Sequence, residues 1–269
     1  MNDNKWVEFM QWALPQMRMR WPGFRKVRRQ VYRRIIGRLE ELNLTKPSQY
    51  KTYLADNPEE WKTLDSFCHI TISRFYRDKS VFHFLQDVVL KELAHEAETN
   101  RLQCWCCGCA SGEEPYTLSL IWNQVLKPYF SATDLEIIAT DSLDIMLNRA
   151  LKGRYAKSSI QELPEELLQT GFNRRNKEYI LKLQYRDSVR FIKQDVRKRM
   201  PGGPFHLILC RYLVFTYFDE KLQAELLEKI LSRLVPGGAL VLGKFDCLPC
   251  KTEKLEPWSE QDRIYRKVR

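Results

Sequence analysis

Residues 102–117 read LQCWCCGCASGEEPYT, and this stretch carries the strongest structural signal in the 269-residue chain. The part that ends at Cys107 is a short apolar run typical of a buried strand, and the residues from Pro115 onward follow a helical pattern. Small residues connect the two in the order G-x-A-x-G, from Gly108 to Gly112. In a doubly wound sheet, the first strand-to-helix turn lies at the carboxyl end of the strands, where small residues let a ligand approach the backbone. The stretch therefore predicts a cofactor loop.

Strand and helix patterns keep alternating after this loop. Apolar runs typical of strands are LEIIATD, SVRFIKQ, FHLILCR, ALVLGKF and RIYRKV, and helical patterns lie between most of them. Such alternation predicts an α/β fold with a doubly wound, mostly parallel sheet and helices on both faces. We assign residues 89–269 to this domain. Within it we expect a small antiparallel β insertion at about residues 154–190, where YILKLQY and SVRFIKQ flank the turn Arg186-Asp187.

The N-terminal part of the chain has a different pattern. Residues 1–88 follow helical periodicity throughout, with breaks at Pro22-Gly23 and near Pro47, so we expect an all-helical domain. The stretch from Arg18 to Arg38 contains no acidic residue. Its apolar residues recur at helical spacing, which predicts an amphipathic helix with a basic second face. These residues are Val27, Val31, Ile35, Leu39 and Leu42.

Composition narrows the class of protein. A hydrophobic content of 44% allows one sizeable core, and the formal net charge is +10. The basic face is either solvated or meets something acidic: a helical protein, nucleic acid or a membrane surface. No uninterrupted apolar run reaches the eighteen or so residues that a bilayer span needs, and the first residues lack the features of a signal peptide. We expect a cytoplasmic protein without a membrane span.

The cysteines do not predict a metal site. Four of the eight lie together, at Cys104, Cys106, Cys107 and Cys109. Alternate residues of a strand point to opposite faces, so these four thiols do not converge on one ion. We interpret them as small buried apolar residues.

The acidic residues after the loop suggest the kind of cofactor. Glu113 and Glu114 stand at the predicted helix start, where a phosphate would compete with their carboxylates, so they favour a cationic ligand. S-adenosylmethionine carries an ammonium and a sulfonium group and no phosphate. Asp141 ends the second predicted strand, where it could bind both ribose hydroxyls, and Asp195 ends the next, where it could face the adenine.

At this point the sequence resembles the chemotaxis receptor methyltransferases, the CheR family, over nearly its whole length. Tyr32 to Leu44 is similar to the pattern YxxRLxxRLxxLxL, and Thr71 to Asp78 is similar to T-N-x-T-x-F-F-R. Trp105 to Thr117 resembles W-x-x-x-C-x-x-G-E-E-P-Y-S. Phe205 to Arg211 and Tyr217 to Asp219 resemble F-D-x-I-x-C-R-N and I-Y-F-D, with one extra residue between them.

The resemblance implies a seven-stranded methyltransferase sheet, S-adenosylmethionine as cofactor and S-adenosylhomocysteine as product. It implies cofactor contacts from the small residues of the loop and from strand ends and neighbouring segments: Thr71, Ser73, Arg77, Gly108, Gly112, Glu114, Asp141, Asp195, Val196, Arg211 and Tyr212. It also implies that Arg77 and Tyr217 lie near the transferred methyl group as catalytic residues.

The function that the resemblance implies is methyl ester formation on protein carboxylates, with glutamates of a chemoreceptor as acceptor. The protein partner would be acidic and helical and would meet the basic helix from Arg18 to Arg38; we expect a monomer and no nucleic-acid partner. The chain departs from the family at Thr71, Asp195 and Tyr212, where the family has Asn, and at Lys244 to Cys247. Two alternatives therefore stay open: another acceptor, such as another protein, a small molecule or RNA, and a catalytically silent regulatory module.

Overall fold

The structure, a computed structural model, describes residues 3–97 and 99–269. Its first compact unit comprises the residues up to Ile70 together with Thr216–Gln223. The helices that lie wholly within this unit are α1 (Asp3–Gln16), α2 (Trp21–Phe24), α3 (Arg28–Glu41), α4 (Pro47–Asp56) and α5 (Glu60–Phe67). The sequence prediction extends the helical domain to residue 88, whereas this unit ends at Ile70. The helices that follow Ile70 bury Phe82 and Val89 in the apolar core of the second unit instead.

Helix α3 corrects the prediction of one continuous basic helix from Arg18 to Arg38. The chain forms the short α2, a turn over residues 25–27, and then α3. Within α3 the predicted apolar face is present, because Val31, Ile35 and Leu39 are buried.

The arginines of α3 have different surroundings. Arg34 donates to the backbone carbonyls of Phe67 and His69, at 2.8 and 2.7 Å. Arg38 binds the buried carboxylate of Glu60, with its Nε 2.9 Å from Oε1 and its Nη2 2.8 Å from Oε2. These two arginines of α3 therefore stabilise the first unit through bonds to other parts of it.

Glu60 is the centre of a buried polar cluster in this unit. It is 6% exposed and also accepts a hydrogen bond of 2.7 Å from the Tyr50 hydroxyl. The hydrogen bonds from Arg38 hold the pKa of Glu60 below its ordinary value of 4.5. Because the folded pKa is lowered, the stability that this carboxylate contributes is present above pH 4.5 and is lost as the pH falls through the lowered value.

We expect Glu60→Gln to lower the free energy of unfolding by about 2–3 kcal/mol at pH 7, since bonds to a charged group are lost. The difference from the wild type should shrink as the pH falls below 4.5. Urea denaturation at pH 7 and at low pH measures both effects. Glu59→Gln is the matched control, because the Glu59 pair with Lys62 is largely exposed. Equal stability of the two variants at pH 7 would contradict this account.

The second unit comprises Thr71–Phe215 and Ala224–Arg269 and contains both sheets. Its strands are β1 (Arg101–Cys107), β2 (Asp134–Asp141), β3 (Arg154–Ala156), β4 (Phe172–Arg175), β5 (Glu178–Leu181), β6 (Val189–Lys193), β7 (Phe205–Cys210), β8 (Leu234–Leu242), β9 (Leu255–Ser259) and β10 (Ile264–Lys267). After α5 the helices of the chain are α6 (Lys79–Phe84), α7 (Leu90–Glu96), α8 (Glu113–Ile121), α9 (Asp144–Lys152), α10 (Lys157–Ile160), α11 (Glu165–Gly171), α12 (Val214–Tyr217) and α13 (Glu220–Leu231). A π-helical turn joins α6 to α7, and another follows α8.

Seven strands form the main sheet, in the order β6-β2-β1-β7-β8-β10-β9. All neighbours are parallel except β10, which is antiparallel to both β8 and β9. The strands β3, β5 and β4 form a separate antiparallel sheet within the predicted insertion. The predicted fold class is confirmed. The insertion sheet ends at Leu181, because residues 183–185 of the expected strand form a 3-10 turn.

Helices cover the sheet with apolar side chains. Trp105 of β1 is fully buried, and its indole Nε1 donates to the Thr140 hydroxyl at 2.9 Å. Leu118 and Trp122, in α8 and the turn after it, are also buried in the core cluster. No helix in residues 3–97 and 99–269 is long and apolar enough to cross a membrane.

Candidate active site

The candidate site lies where the strand order reverses. The chain builds β1, β2 and β6 toward one edge and then continues on the other side of β1 with β7. In open α/β sheets, ligands bind at this switch point, outside the carboxyl ends of the strands. The loop after Cys107 and the residues after Cys210 therefore meet at the expected place. Gly108 has a φ of +76°, which favours glycine, and a Cβ there would lie 2.7 Å from Cδ2 of Leu213.

Asp141 holds the loop of residues 108–112 in position. Its Oδ2 accepts from the Ala110 amide at 2.9 Å, and its Oδ1 accepts from the Leu143 amide at 3.0 Å. The amides of Gly108 and Cys109 donate to the Thr140 carbonyl. Ala110 has a φ of +47°, and Gly112 one of +87°, so the loop is sharply folded. Asp141 thus shapes the predicted cofactor loop as well as ending β2.

We expect Asp141→Ala to weaken S-adenosylmethionine binding about tenfold, since hydrogen bonds to a charged group are lost from the loop. Calorimetric titration measures the change in Kd. Asp144→Ala is the matched control, because the Asp144 pair with Lys193 lies on the surface. A Kd within twofold of the wild type for Asp141→Ala would remove Asp141 from the cofactor site.

Asp195 and Val196 follow β6 and lie beside the end of β2, where the Gln194 amide donates to the Asp141 carbonyl at 2.9 Å. Val196 is buried. The Asp195 carboxylate accepts from the Arg197 guanidinium, with Nε–Oδ1 at 3.0 Å and Nη2–Oδ2 at 2.8 Å. An adenine contact from Asp195 stays a prediction, and the structure adds Arg197 as a residue that orients this carboxylate.

Arg211, directly after β7, forms the most buried ion pairs described at this edge. Its side chain is 2% exposed. Nη1 lies 2.9 Å from Oε2 of Glu114, and Nη2 lies 2.6 Å from Oδ2 of Asp78. Nη2 also donates to the Arg77 carbonyl at 2.9 Å. One guanidinium therefore joins the end of β7, the start of α8 and the start of α6.

The two acidic residues at the start of α8 have different protein partners. Glu113 is buried and accepts a hydrogen bond from the Ser111 hydroxyl at 3.0 Å. Burial raises the pKa of Glu113 and also that of Glu114, where the neighbouring Arg211 opposes the rise. Both carboxyl groups thus have protein partners, and Glu114 is the one that lies beside Arg211.

The segment Thr71–Asp78 brings further predicted residues to this edge. The amide of buried Tyr76 donates to the Thr117 hydroxyl at 3.2 Å. Ser73 is near enough to Glu113 of α8 to lower the pKa of that carboxyl, and both Ser73 and Thr71 are half-buried.

Arg77 and Tyr212 are stacked. The guanidinium carbon of Arg77 lies 3.8 Å from the ring centroid of Tyr212, and Nη1 donates to the Ile72 carbonyl at 3.1 Å. The Tyr212 hydroxyl donates to Asp78. Tyr212 replaces the Asn of the family pattern, and its ring occupies a position that a shorter amide would leave open.

Tyr217 belongs to the first unit, where its ring packs against Phe24 with a centroid distance of 4.9 Å. The Arg20 amide donates to its carbonyl at 2.9 Å. The predicted place of Tyr217 near the transferred methyl group stays a prediction. The other predicted residues belong to the second unit and lie in the loops and segments described above.

Two carboxylates at this edge were missed by sequence reasoning. Asp78 joins Arg211 to Tyr212, and buried Asp246 accepts from the backbone amides of Tyr212 and Gly243, each at 2.9 Å. Asp78 directly follows Arg77 in the motif. Asp246 stands three residues after the glycine that follows β8, a spacing at which a side chain can bond back to the loop backbone.

This fold, with its switch-point loop and acidic strand ends, is that of an α/β protein that binds a nucleotide-like cofactor at the carboxyl edge of its sheet. The family model described as CheR methyltransferase, SAM binding domain, matches residues 71–264. The chain belongs to the CheR methyltransferase family. Both the recognised family and the predicted cofactor are thereby confirmed.

Individual relatives agree with this assignment. The chain is 30% identical over 178 residues to a chemotaxis protein methyltransferase of Listeria monocytogenes, with 66% of each chain covered. It is 30% identical over 219 residues to chemotaxis protein methyltransferase 2 of Vibrio cholerae, covering 79% of this chain and 75% of the relative. The match to a 104.1 kDa protein of Rhodobacter capsulatus, 26% identical, covers 89% of this chain but 25% of that protein. The chain thus spans just under two thirds of the Listeria relative and a quarter of the Rhodobacter one.

Among solved structures, the chain is similar to the S-adenosylmethionine-bound amino pentose methyltransferase of Micromonospora echinaspora. The sequence identity is 18% and the TM-score 0.36. The match covers 62% of this chain and 51% of that chain.

The residues at this edge fit S-adenosylmethionine. Among the described residues, two buried polar atoms without a hydrogen-bond partner belong to residues of this edge: Nε of Arg211 and Oε1 of Gln194. Buried polar atoms are normally satisfied, so an unpaired donor and an unpaired acceptor are consistent with a polar ligand. Contacts of Glu114 with the ammonium group and of Asp141 with the ribose stay predictions, as do contacts of Asp195 and Val196 with the adenine.

Proposed function

We propose that the protein transfers the methyl group of S-adenosylmethionine to carboxylates of a protein, forming glutamate methyl esters on a chemoreceptor. The cofactor supplies an electrophilic methyl group on a sulfonium. The observation that carries the proposal is the presence of Arg77, Glu114, Asp141 and Arg211 at one sheet edge, within the segment that the family model matches. We further propose that the reaction takes place in the cytoplasm and that the protein acts as a monomer.

The reaction requires the carboxylate and the methyl group to be positioned, and it requires little proton transfer. A carboxylate is already ionised at neutral pH, so its attack on a methyl group needs no strong general base. The task of the protein is to hold the carboxylate in line with the methyl group and to exclude water. Arg77 is suited to the first part, because a guanidinium binds a carboxylate through paired N–H bonds. Tyr217 is the second residue to which this proposal gives a catalytic role.

The basic face of the first unit is the proposed docking surface for an acidic helical partner. Arg25, Arg29 and Arg33 are exposed. A groove beside them is lined by Asp3, Arg28, Arg29, Tyr32, Arg33 and Ile36. Exposed guanidinium groups attract an acidic surface at long range, and salt screens that attraction. Receptor methylation should therefore weaken as ionic strength rises.

The proposal is tested with tritiated S-adenosylmethionine and the cytoplasmic fragment of a bacterial chemoreceptor. Methyl esters release volatile methanol in mild base, whereas methyl groups on nitrogen or in ethers stay bound. We expect base-labile label on the fragment. The matched control is the same fragment with its acceptor glutamates replaced by glutamine, which should stay unlabelled. A folded protein that binds the cofactor but leaves the receptor fragment unlabelled would contradict the proposed acceptor.

A second acceptor class is favoured by one local observation. The exposed Phe245 brings an aromatic group to a loop at this sheet edge, and Lys244 adds an exposed cation. Such groups suit a flat or anionic acceptor other than a glutamate side chain. Base-stable label on a small molecule, or on RNA with steeply salt-dependent binding, would identify this alternative.

A further inference from the structure

Tyr212 adopts a backbone conformation that a large side chain rarely takes. Its φ is +54°, in the left-handed region, where residues other than glycine are uncommon and Asn and Asp are the most tolerated. Strained residues of this kind persist where the surrounding structure holds them and they cluster at functional sites. The contacts of Tyr212 should therefore explain why an aromatic residue is held in this conformation.

The ring of Tyr212 covers one face of the Arg77 guanidinium. The separation of 3.8 Å is that of a close cation–π stack. One face of the guanidinium is therefore closed to a ligand, and Nη1 is engaged by the Ile72 carbonyl at 3.1 Å. What remains for a ligand is the N–H edge of Arg77, the geometry that binds a planar carboxylate through two parallel hydrogen bonds.

The ring is in turn held from several sides. Its hydroxyl donates to Asp78 and accepts from the Lys244 amide at 3.2 Å. Its own amide donates to Asp246 at 2.9 Å, and a Cβ on Gly243 would lie 2.8 Å from the ring. Burial and the Asp78 contact raise the pKa of Tyr212 to about 12, so the hydroxyl keeps its proton at neutral pH.

We propose that Tyr212 is a positioning residue for Arg77: it holds the guanidinium so that its N–H edge faces a carboxylate ligand. The inference rests on the proposed function and goes beyond it, because it assigns a role to a residue at which this chain departs from its family. Tyr212 acts through Arg77, and Asp78 anchors it.

A double-mutant cycle tests the inference. Tyr212→Leu removes the stacking ring, and Arg77→Lys keeps the charge without the planar guanidinium. Two quantities are measured: the Kd for S-adenosylhomocysteine, and kcat/KM for the receptor fragment. When Arg77 is present, we expect Tyr212→Leu to raise the Kd or to lower kcat/KM about tenfold. In the Arg77→Lys background, the same substitution should change each quantity by less than about twofold. Equal losses in both backgrounds, for both quantities, would overturn the inference.

Tyr212→Phe gives a second test, which is needed if Tyr212→Leu does not fold. It keeps the ring and loses the bond to Asp78, so we expect a loss of about threefold that again vanishes in the Arg77→Lys background. The matched controls are Tyr179→Leu and Tyr179→Phe, since Tyr179 also lies under an arginine, Arg174, but in the β insertion at 5.9 Å. These controls should change neither quantity.

The two readouts separate the possible failures. A wild-type protein that binds S-adenosylhomocysteine but does not label the receptor fragment contradicts the proposed acceptor, while the Kd cycle still decides the role of Tyr212. If the wild type labels the fragment normally but the losses caused by the Tyr212 and Arg77 substitutions are additive, only the role of Tyr212 is contradicted. A wild-type protein that binds neither cofactor form overturns both.

Discussion

Arg211→Ala is expected to lower the free energy of unfolding by about 3–5 kcal/mol, because it leaves two partly buried carboxylates without their cation. Glu114 and Asp78 are 14% and 19% exposed in their side chains, and both depend on this guanidinium. The melting temperature should fall by roughly 10 °C. Differential scanning calorimetry measures the change, and titration of any folded fraction should show no cofactor binding.

The pH dependence identifies the cause of the loss. Arg211 opposes the rise that burial causes in the pKa of Glu114, so without Arg211 this pKa should rise further, and the cost of keeping the carboxylate charged falls as it protonates. The variant should therefore approach the wild type as the pH falls from 8 to 5. Lys254→Ala is the control, since its pair with Glu228 is more than half exposed and should contribute little. A melting temperature within 2 °C of the wild type for Arg211→Ala would contradict the buried ion pairs.

Arg77→Ala is expected to reduce methyl transfer by at least about 100-fold, the usual result of removing a charged group that acts at the reacting atoms. The fold should survive, because Arg77 is half-buried and its side chain stacks on Tyr212 and donates one hydrogen bond to the Ile72 carbonyl. Initial rates with the receptor fragment, together with a melting curve, measure both parts.

A neighbouring arginine provides the control for this prediction. Arg74 lies three residues earlier and pairs with Glu162 at 3.1 Å on the surface. Arg74→Ala should keep the full transfer rate. Arg77→Lys should transfer methyl groups little faster than Arg77→Ala, because an ammonium group cannot replace a planar, stacked guanidinium. Unchanged transfer by Arg77→Ala would remove this residue from the mechanism.

The parts of the fold that follow from local patterns could be predicted from the sequence. The loop after β1 and the carboxylate at Asp141 are found where strand ends and small residues place them. The break between α2 and α3 could not be located, because Pro22 and Gly23 lie inside α2, where a proline in the first turn is tolerated. The actual turn, over residues 25–27, contains neither proline nor glycine.

The parts of the site that could not be predicted from the sequence depend on contacts between residues far apart in the chain. Asp78 joins Arg211 and Tyr212 across more than 130 positions, and only the packing of the segment after Ile70 brings them together. The positive φ angles of Asp78 and Tyr212 also lack a sequence signal, since neither residue is glycine. Local periodicity therefore predicts where the site lies, while tertiary packing determines which charges meet there.

The most direct measurement of the central claim is calorimetric titration of the folded, ligand-free protein with S-adenosylmethionine and S-adenosylhomocysteine. The methyl-transfer proposal and the roles of Arg77 and Tyr212 depend on a cofactor site at the carboxyl ends of β1 and β7. We predict that both compounds bind, at one site per chain, and that Asp141→Ala weakens both. If neither compound binds, the assignment of this edge as a cofactor site is contradicted, together with the enzymatic function that rests on it.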